Sequence, residues 1–511
     1  MAAFVLVRRD SYHDSVLLLR VSQALKGLAG VEDAVVAMGT PQNRGLLGAQ
    51  GYGGPALAAA TPNDLLIAVK GAADSPAAVE AELERLLKAR PPAGADEETR
   101  PASLAAAVGS HPGANLVLIS VPGEHAAREA RRALALGRHV MLFSDNVTLE
   151  DEVALKREAA ARGLLMMGPD CGTAILDGRP LAFANAVRRG PIGIVGAAGT
   201  GIQEVSSLIH RLGGGVSQAI GTGGRDLSVE VGGLMMRLGI EALAADPETK
   251  VIVIVSKPPA VAVAEQVIAA LAATPKPCVA HFVGDAVRPE DEARGIVFAD
   301  SLAGAAELAC RLSGLSFTPL PPIADASCVA AAAALLRPGA ALKALFCGGT
   351  TGQEALALLT RAGLEVRSNL HKQGALRADG IEPVPGHVLL DLGDDVFTRG
   401  RPHPMIEPVL RNERLAVETA DPAAGLLLFD CVIGYGSHPD PAGVLAAGVD
   451  QARRRARGRE LLAVASVTGT AEDPQGYEVQ VRRLADAGVT VETDNRRAAQ
   501  FAAAVLGKAG R

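Results

Sequence analysis

The sequence has no tryptophan, and its aromatic residues make up only 3% of 511 positions. It also lacks an excess of positive charge, because its formal net charge is −6 and its pI is near 6.0. Without a basic excess there is no electrostatic footprint for a nucleic-acid partner. Charged or turn residues interrupt every apolar run before it reaches membrane-spanning length. We therefore expect neither nucleic acid nor a membrane among the partners of this protein.

The cysteines lack the spacing of a metal site, and we predict no bound metal. We interpret them as reduced thiols of a cytoplasmic protein. The first ten residues also lack the charged-then-apolar order of a secretory signal, which agrees with a cytoplasmic location. The six cysteines are Cys171, Cys278, Cys310, Cys328, Cys347 and Cys431.

A pattern that occurs twice, roughly 150 residues apart, is the most informative feature that is present. The copies span residues 192–204 and 344–354, and each has an apolar run, then glycines with threonine, then Gln-Glu opening a helix. The apolar run is typical of a strand in a buried parallel sheet. Glycines let the backbone approach an anion, and a helix N-terminus offers free N–H groups and partial positive charge. The pattern predicts two phosphate cradles.

The segments that follow each cradle agree in order and spacing, so we predict two copies of one α/β domain, at residues 189–318 and 335–511. Solenoid repeats are far shorter than this period. Residues 1–90 have the β-α-β-β-α pattern of a ferredoxin-like α+β module, and the proline-rich stretch 91–101 is a linker. Residues 102–188 alternate helix and strand, and their strand-end loops 121–124, 144–148 and 168–173 should line one crevice.

Several motifs in this chain resemble the FdrA family, within the superfamily of succinyl-CoA synthetase and other nucleotide-forming acyl-CoA synthetases. The resemblance covers nearly the whole chain. The motifs are Phe143-Ser-Asp-Asn-Val-Thr-Leu-Glu-Asp-Glu152, Met167-Gly-Pro-Asp-Cys-Gly-Thr173, Gly223-Gly-Arg-Asp-Leu-Ser228, Val255-Ser-Lys-Pro-Pro-Ala260, Asp391-Leu-Gly-Asp-Asp395, Gly400-Arg-Pro-His-Pro-Met-Ile406 and Val467-Thr-Gly-Thr470.

The resemblance implies an α/β fold with a Rossmann-like CoA-binding-type domain, here truncated to 102–188, followed by two duplicated flavodoxin-like domains. It also implies a phosphate between paired helix N-termini of the two repeats. The residues of the first half-site would be Gly199, Thr200, Gln203 and Glu204, and those of the second would be Gly349, Thr350, Thr351 and Glu354.

The sequence departs from the superfamily in three ways that argue against a synthetase activity. The usual phosphohistidine loop, Gly-His-Ala-Gly-Ala, is absent, and His281 lies in a strand-like run instead. The half of the CoA-binding domain with the glycine-rich turn has no counterpart before residue 102, so CoA binding is doubted. There is no ATP-grasp domain in the sequence. We expect no required cofactor, with phosphate acting as a substrate.

FdrA-type proteins are associated with allantoin catabolism, together with partner subunits. The implied reaction is phosphorolysis of a carbamoylated acid, in which oxalurate and phosphate give oxamate and carbamoyl phosphate. An acyl-CoA synthetase subunit and a non-catalytic scaffold are the alternatives. Association with further copies of the chain stays open.

Other residues are candidates for the site, each with an ordinary structural alternative. Gly223 and Gly224 precede Arg225, which together with Arg399 and Arg401 could clamp a phosphate or form surface ion pairs. Carboxylates could act at the site or cap helices and turns. A histidine could act as a base or shape a turn. The candidate carboxylates are Asp226, Asp394 and Asp395, and the candidate histidines are His403 and His438. Lys257 could balance the charge of the substrate.

Overall fold

The structure is a computed structural model, and it divides into two compact units, Met1–Arg100 and Pro101–Arg511. The predicted linker lies almost entirely outside the described residues. No helix in the described part of the chain is both long and apolar enough to cross a membrane. The described residues are 3–11, 13, 15–28, 30–49, 51–71, 76–88, 101–284, 295–321, 326–378, 382–398, 401–456 and 458–510.

The first unit is an α+β module built on an antiparallel sheet of order β1-β3-β2. Leu18, Leu25 and Leu83 pack on one face of the sheet, and Leu47 and Tyr52 pack on the other. Two helices between β2 and β3 cover that second face. The sequence pattern did not predict them, because glycines lower the helix propensity of α2 and because α3 has only five residues. The elements are β1 Ala3–Arg8, α1 Ser15–Lys26, β2 Val31–Met38, α2 Pro41–Ala49, α3 Pro55–Ala59, β3 Leu65–Gly71 and α4 Pro76–Lys88.

The second unit begins with a small parallel sheet of order β4-β5-β6, as the alternation of helix and strand predicts. The hairpin β7–β8 that follows pairs with β10 of the first repeat, so it extends the next sheet. The elements are α5 Leu104–Ser110, β4 Leu116–Ile119, α6 Gly123–Ala135, β5 His139–Leu142, α7 Leu149–Ala161, β6 Met166–Met167, β7 Thr173–Leu176 and β8 Arg179–Ala182.

The first repeat forms a parallel sheet of order β13-β12-β11-β9-β10, which is the 2-1-3-4-5 order of flavodoxin-like folds. Its central strand β11 is buried at every position, which explains why the sequence is apolar from Val251 to Val255. The elements are β9 Arg189–Ala197, α8 Gly199–Arg211, β10 Val216–Gly221, α9 Leu234–Ala245, β11 Val251–Ser256, α10 Val261–Ala272, β12 Cys278–Phe282, β13 Ile296–Phe298 and α11 Leu302–Leu312.

The second repeat has the sheet order β15-β16-β14-β17-β18-β19, which is the same topology with one short strand added at the edge. The duplicated flavodoxin-like fold predicted from the sequence is therefore confirmed. The elements are α12 Ala326–Leu335, β14 Ala341–Phe346, α13 Gly349–Arg361, β15 Arg367–Ser368, β16 Val388–Asp391, α14 Asp395–Thr398, α15 Val409–Glu418, β17 Ala424–Val432, α16 Pro441–Arg455, β18 Leu462–Thr468, α17 Tyr477–Asp486, β19 Thr490–Glu492 and α18 Asn495–Ala509.

Candidate functional site

The two predicted cradles meet in the structure. α8 begins at Gly199 and α13 begins at Gly349, each shortly after the first strand of its repeat. The backbone N–H of Thr350 donates to the side-chain oxygen of Thr200 at 3.2 Å, so the two helix N-termini are in contact. A β-carbon at Gly201 would lie only 2.8 Å from Cγ2 of Thr350, so this approach requires a glycine. The expected convergence of the repeats at one place is observed.

The glycine turn of the second cradle is held by Asp430, a buried residue of β17. Its carboxylate accepts hydrogen bonds from the N–H groups of Cys347 and Gly348, each at 2.8 Å, and from the hydroxyl of Thr351 at 3.0 Å. The buried Arg411 donates to the carbonyl oxygen of Asp430 at 2.6 Å. The turn is therefore fixed before any ligand binds, which is the preorganisation that favours anion recognition.

Glu204 and Glu354 lie behind the cradles, and each caps a helix of the opposite repeat. Glu354 accepts a hydrogen bond at 2.7 Å from the N–H of Leu302, the first residue of α11. Glu204 accepts one at 3.1 Å from the N–H of Asn495, the first residue of α18. The side-chain amide of Asn495 also donates to Glu354 at 2.7 Å. These contacts, which we call the crossed caps, join the repeats; a role of the two glutamates in ligand binding stays a prediction.

Gln203 contributes a further polar contact between the repeats. Its side-chain amide donates to Oδ1 of Asn185 at 3.2 Å, and the Asn185 amide donates to Asp473, beyond β18, at 2.8 Å. Gln203 is buried, and its own Oε1 has no partner among the described residues. It is therefore placed beside the cradle and keeps one acceptor unused.

Protonation of the crossed caps should make the stability of the protein depend on pH. Burial raises the pKa of both Glu204 and Glu354 to about 7, from an ordinary value of 4.5. The proton binds more tightly in the folded state, so this stabilisation is complete below pH 4.5 and is lost as the pH rises through 7. Between pH 6.5 and 8 we expect the free energy of unfolding to fall by about 1 kcal/mol for each glutamate.

The measurement is chemical denaturation across that pH range, with Glu354→Gln as the variant, since glutamine mimics the protonated side chain. The variant should lose about half of the pH dependence due to this pair. Glu478→Gln, a change at an exposed residue of α17, serves as the control. An unchanged pH profile in Glu354→Gln would contradict the prediction.

A group of charged residues lies beside the N-terminus of α13, where the carboxyl ends of several strands converge, as expected for open α/β sheets. We call it the acid–lysine cluster. Three of the sequence candidates, Lys257, Asp395 and His403, belong to it. Its members influence one another electrostatically and are Asp145, Asp170, Lys257, Asp391, Asp395 and His403.

Two glycines make room for the centre of this cluster. A β-carbon at Gly349 would lie 2.7 Å from Oδ2 of Asp391 and 3.1 Å from Nζ of Lys257. A β-carbon at Gly393 would lie 2.6 Å from Nε2 of His403 and 3.2 Å from Oδ1 of Asp391. The lysine, the carboxylate and the imidazole are therefore gathered around the start of α13, where the macrodipole adds partial positive charge.

The protonation states of the cluster are set mainly by burial. Burial raises the pKa of Asp391 to about 7, and Lys257 opposes this shift. The pKa of the more exposed Asp170 is raised in the same direction, again against the effect of Lys257. Burial lowers the pKa of His403 to about 4, so this imidazole is neutral at physiological pH. Its ring packs against Phe183, with the centroids 5.5 Å apart. Carboxyl groups that titrate near neutrality are suited to proton transfer.

Asp226 and Arg225 have mainly structural contacts. Asp226 is fully buried, accepts hydrogen bonds from the N–H groups of Met235 and Met236 in α9, and pairs with Nζ of Lys156 at 2.9 Å. Arg225 pairs with Glu152 at 2.8 Å. The guanidinium of Arg225 also opposes the raised pKa of Asp170, so it lies near the cluster.

The glycines before Arg225 lie against the loop that follows β6. A β-carbon at Gly223 would be 2.4 Å from the carbonyl oxygen of Pro169, and Gly223 has a φ of +88° that favours glycine. One at Gly224 would be 3.7 Å from the carboxylate of Asp170. The two glycines therefore bring this loop, and with it Asp170, up to the first repeat.

The remaining candidates are spread around the cluster. Asp394 accepts a hydrogen bond from the N–H of Val396 at 3.0 Å and adds to the raised pKa of Asp391. Arg401 forms an ion pair with Glu413 at 3.1 Å. The predicted Arg399 lies outside the described residues. Nδ1 of His438 accepts the N–H of Asp440 at 3.0 Å, which is a turn contact.

Sequence reasoning did not single out Asp391, although it is the residue on which the cluster is centred. Asp391 is the last residue of the apolar strand β16, and its position alone indicates only where the strand ends. The available signal was a single carboxylate placed between an apolar strand and a glycine. Within the described ranges, no group of three or more His, Cys, Asp or Glu side chains could hold a metal ion.

Paired flavodoxin-like repeats with converging helix N-termini define the class of CoA-ligase-like α/β proteins, and family models agree. A model described as "CoA-ligase" matches residues 345–505, the second repeat. One described as "CoA binding domain" matches 187–284, which lies in the first repeat. The truncated CoA-binding domain at 102–188 stays a prediction. A third, "AllF, heavy metal-associated domain", matches residues 1–102.

A relative covers almost the whole chain. "Uncharacterized protein YahF" of Escherichia coli (strain K12) is 44% identical over 507 residues, which is 97% of this chain and 97% of that protein. The alpha subunit of the ADP-forming succinate–CoA ligase of Aquifex aeolicus is 31% identical over 151 residues, covering 28% of this chain and 48% of that protein. The chain therefore belongs to the FdrA family, within the succinyl-CoA synthetase superfamily of enzymes.

Solved structures that match this chain have low sequence identity and low TM-scores. PH0766 from Pyrococcus horikoshii OT3 is 17% identical, covers 77% of this chain and 84% of its own, and has a TM-score of 0.32. The ATP citrate lyase of Methanothrix soehngenii, in complex with citrate and coenzyme A, is 15% identical, covers 46% of each chain and has a TM-score of 0.35.

The description of the N-terminal family model implies a heavy metal, but the residues present do not fit one. The first cysteine of the chain is Cys171, so residues 1–102 offer no thiolate, the ligand that soft metals prefer. The connection after β1 is held instead by Asp64, which accepts the N–H of Asp10 at 3.0 Å and that of Thr61 at 2.7 Å.

Proposed function

We propose that the chain is a subunit of an FdrA-type carbamoyltransferase in purine and allantoin catabolism, acting in the cytoplasm. Its reaction would be phosphorolysis of oxalurate to oxamate and carbamoyl phosphate. The observation that supports it best is the meeting of two helix N-termini beside Lys257, because their partial charges and the ammonium group suit a phosphate. The carboxyl groups of the acid–lysine cluster add proton donors and acceptors for an amide substrate.

The proposed reaction also agrees with the absence of a phosphohistidine loop from the sequence. Phosphorolysis of an activated amide needs neither ATP nor a phosphohistidine, whereas thioester synthesis in the superfamily uses both. The stretch after β12 at residues 285–294 contains no histidine in its sequence. His281 is buried, and its Nδ1 is 3.0 Å from the carbonyl oxygen of Ala299, which makes it a core residue.

An acyl-CoA synthetase activity is the second candidate, and membership of the superfamily favours it. The strand-end loops 121–124, 144–148 and 168–173 resemble part of the superfamily's CoA pocket, but here they are packed against one another. A β-carbon at Gly123 would lie 2.3 Å from the carbonyl oxygen of Asp145, and one at Gly168 would lie 2.2 Å from that of Leu142. The hydroxyl of Ser144 donates to the carbonyl oxygen of Val121 at 2.5 Å. Together with the missing glycine-rich turn, this packing argues against a CoA site.

We expect the purified chain, mixed with candidate partner subunits, to release oxamate from oxalurate only when phosphate is present. Carbamoyl phosphate should appear in equal amount, measured by coupling to ADP phosphorylation with a carbamate kinase. Arsenate in place of phosphate is the control, since carbamoyl arsenate hydrolyses and oxamate release alone remains. Hydroxamate formation that depends on ATP and CoA, together with micromolar CoA binding by calorimetry, would instead support the synthetase. Absence of both activities would favour a non-catalytic scaffold.

A further inference from the structure

The proposed reaction breaks a carbon–nitrogen bond, and the departing nitrogen needs a proton to leave. We propose that Asp391 is the catalytic acid that supplies this proton, an inference that rests on the proposed phosphorolysis. A phosphate oxygen forms the bond to the carbamoyl carbon, the bond to the oxamate nitrogen breaks, and that nitrogen takes the proton of the Asp391 carboxyl group. The proton carried by the attacking hydrogen phosphate then restores the acid, so protons and charges balance.

The backbone and side chain of Asp391 are held in a way that leaves one oxygen for a substrate. Asn369 accepts the N–H of Asp391 and donates to its carbonyl oxygen, each at 2.9 Å. Oδ1 accepts the N–H of Gly393 at 2.9 Å. In the part of the chain that the structure describes, Oδ2 takes no hydrogen bond and points at Gly349, the first residue of α13. Oδ1 is therefore the anchor, and Oδ2 faces the place proposed for phosphate.

The charged groups around Asp391 come from both repeats. Lys257 of the first repeat favours the ionised carboxylate, while Asp394 and Asp430 of the second favour the protonated form. His403, neutral at physiological pH, packs on the other side of Gly393. Burial outweighs these groups and favours the protonated form, so near neutral pH both forms of Asp391 are populated. A catalytic acid that must give and recover a proton works best in that range.

The neighbouring carboxylates are less suited to this step. Both oxygens of Asp430 are occupied by backbone N–H groups, at 2.8 Å each. Asp394 accepts a backbone N–H through Oδ1, as a turn residue does. Asp395 is exposed to solvent and therefore lacks the water-excluded setting of Asp391. Asp391 alone among these four carboxylates combines burial, a raised pKa and an oxygen facing the cradle.

The test is Asp391→Asn, assayed with its partner subunits on oxalurate and on 4-nitrophenyl carbamate, whose nitrophenolate leaves without a proton. We expect kcat/KM for oxalurate to fall about 100-fold or more, and that for the nitrophenyl substrate to fall less than fivefold. The wild-type pH profile should show a limb near pH 7 that the variant lacks. Asp391→Glu should recover part of the lost activity. Asp450→Asn, at an exposed residue of α16, is the matched control and should behave as the wild type.

The outcomes separate the two proposals. A wild-type protein without phosphorolysis of oxalurate would refute the proposed function itself. An active wild type with an Asp391→Asn variant that keeps its rate within threefold and its pH limb would refute the role of Asp391. An equal loss on both carbamoyl donors would assign Asp391 to binding and would also refute proton donation. A melting curve for each variant distinguishes these results from unfolding.

Discussion

Replacement of Gly349 by alanine should abolish most of the proposed phosphorolytic activity while leaving the protein fully folded. The new β-carbon would stand 2.7 Å from Oδ2 of Asp391 and 3.1 Å from Nζ of Lys257, so both groups must move away from the helix N-terminus. A displacement of about 1 Å in a catalytic site costs about 100-fold in rate. Both contacts are the ends of side chains, and alanine favours a helix more than glycine does. We therefore expect kcat/KM to fall about 100-fold without a lower melting temperature.

The matched control is Gly352→Ala, the same change within the same helix. A β-carbon there would make ordinary contacts, at 3.4 Å from Leu370 and Phe346. It should preserve activity and stability. If Gly349→Ala kept wild-type kinetics on oxalurate, the cluster of Asp391 and Lys257 would not be the site.

The largest loss of stability should follow the replacement of Lys156 by methionine. Its ammonium group is completely buried and lies 2.8 Å from Glu152 and 2.9 Å from Asp226, with a third contact of 2.9 Å to the carbonyl oxygen of Thr222. Removing the cation leaves two buried carboxylates without their main partner, which costs about 3–5 kcal/mol. Urea denaturation should show this decrease in the free energy of unfolding.

Lys250→Met removes an exposed lysine of the first repeat and should leave the unfolding curve unchanged. If Lys156→Met also left the unfolding curve unchanged, the ion pairs of Lys156 with Glu152 and Asp226 would not be maintained in solution. The same experiment bears on Asp226, because a residue needed to neutralise Lys156 and to cap α9 is constrained by folding, whatever its part in substrate binding.

The repeats could be predicted from the sequence because parallel strands buried on both faces are mostly apolar, as β11 is from Val251 to Val255 and as β14 is apart from the buried Lys343. Glycines between strand and helix then locate the helix N-termini without any alignment. The same reasoning missed α2 and α3 of the N-terminal module, because glycines interrupt the pattern of α2 and α3 is only five residues long.

The site was harder to predict, because the decisive contacts join residues that are distant in the chain. Glu204 stands in a motif suited to phosphate, yet its carboxylate is used by Asn495, 291 residues away. Lys156 lies in a helix rich in charged residues, which is typical of a solvent-exposed face, and only tertiary structure shows it to be buried. Asp391 became a candidate only because the fold places it beside Lys257 and Gly349, neither of which is near it in sequence.

The crossed caps also set an order of events during synthesis of the chain. The N-terminus of α11 is completed by Glu354, which leaves the ribosome 52 residues after Leu302. Until that stretch has emerged, the last helix of the first repeat lacks one of its caps and its neighbour α13. We therefore expect the first repeat, although translated earlier, to become resistant to proteases only when the second has been made. Two domains that arose as copies would then mature as one.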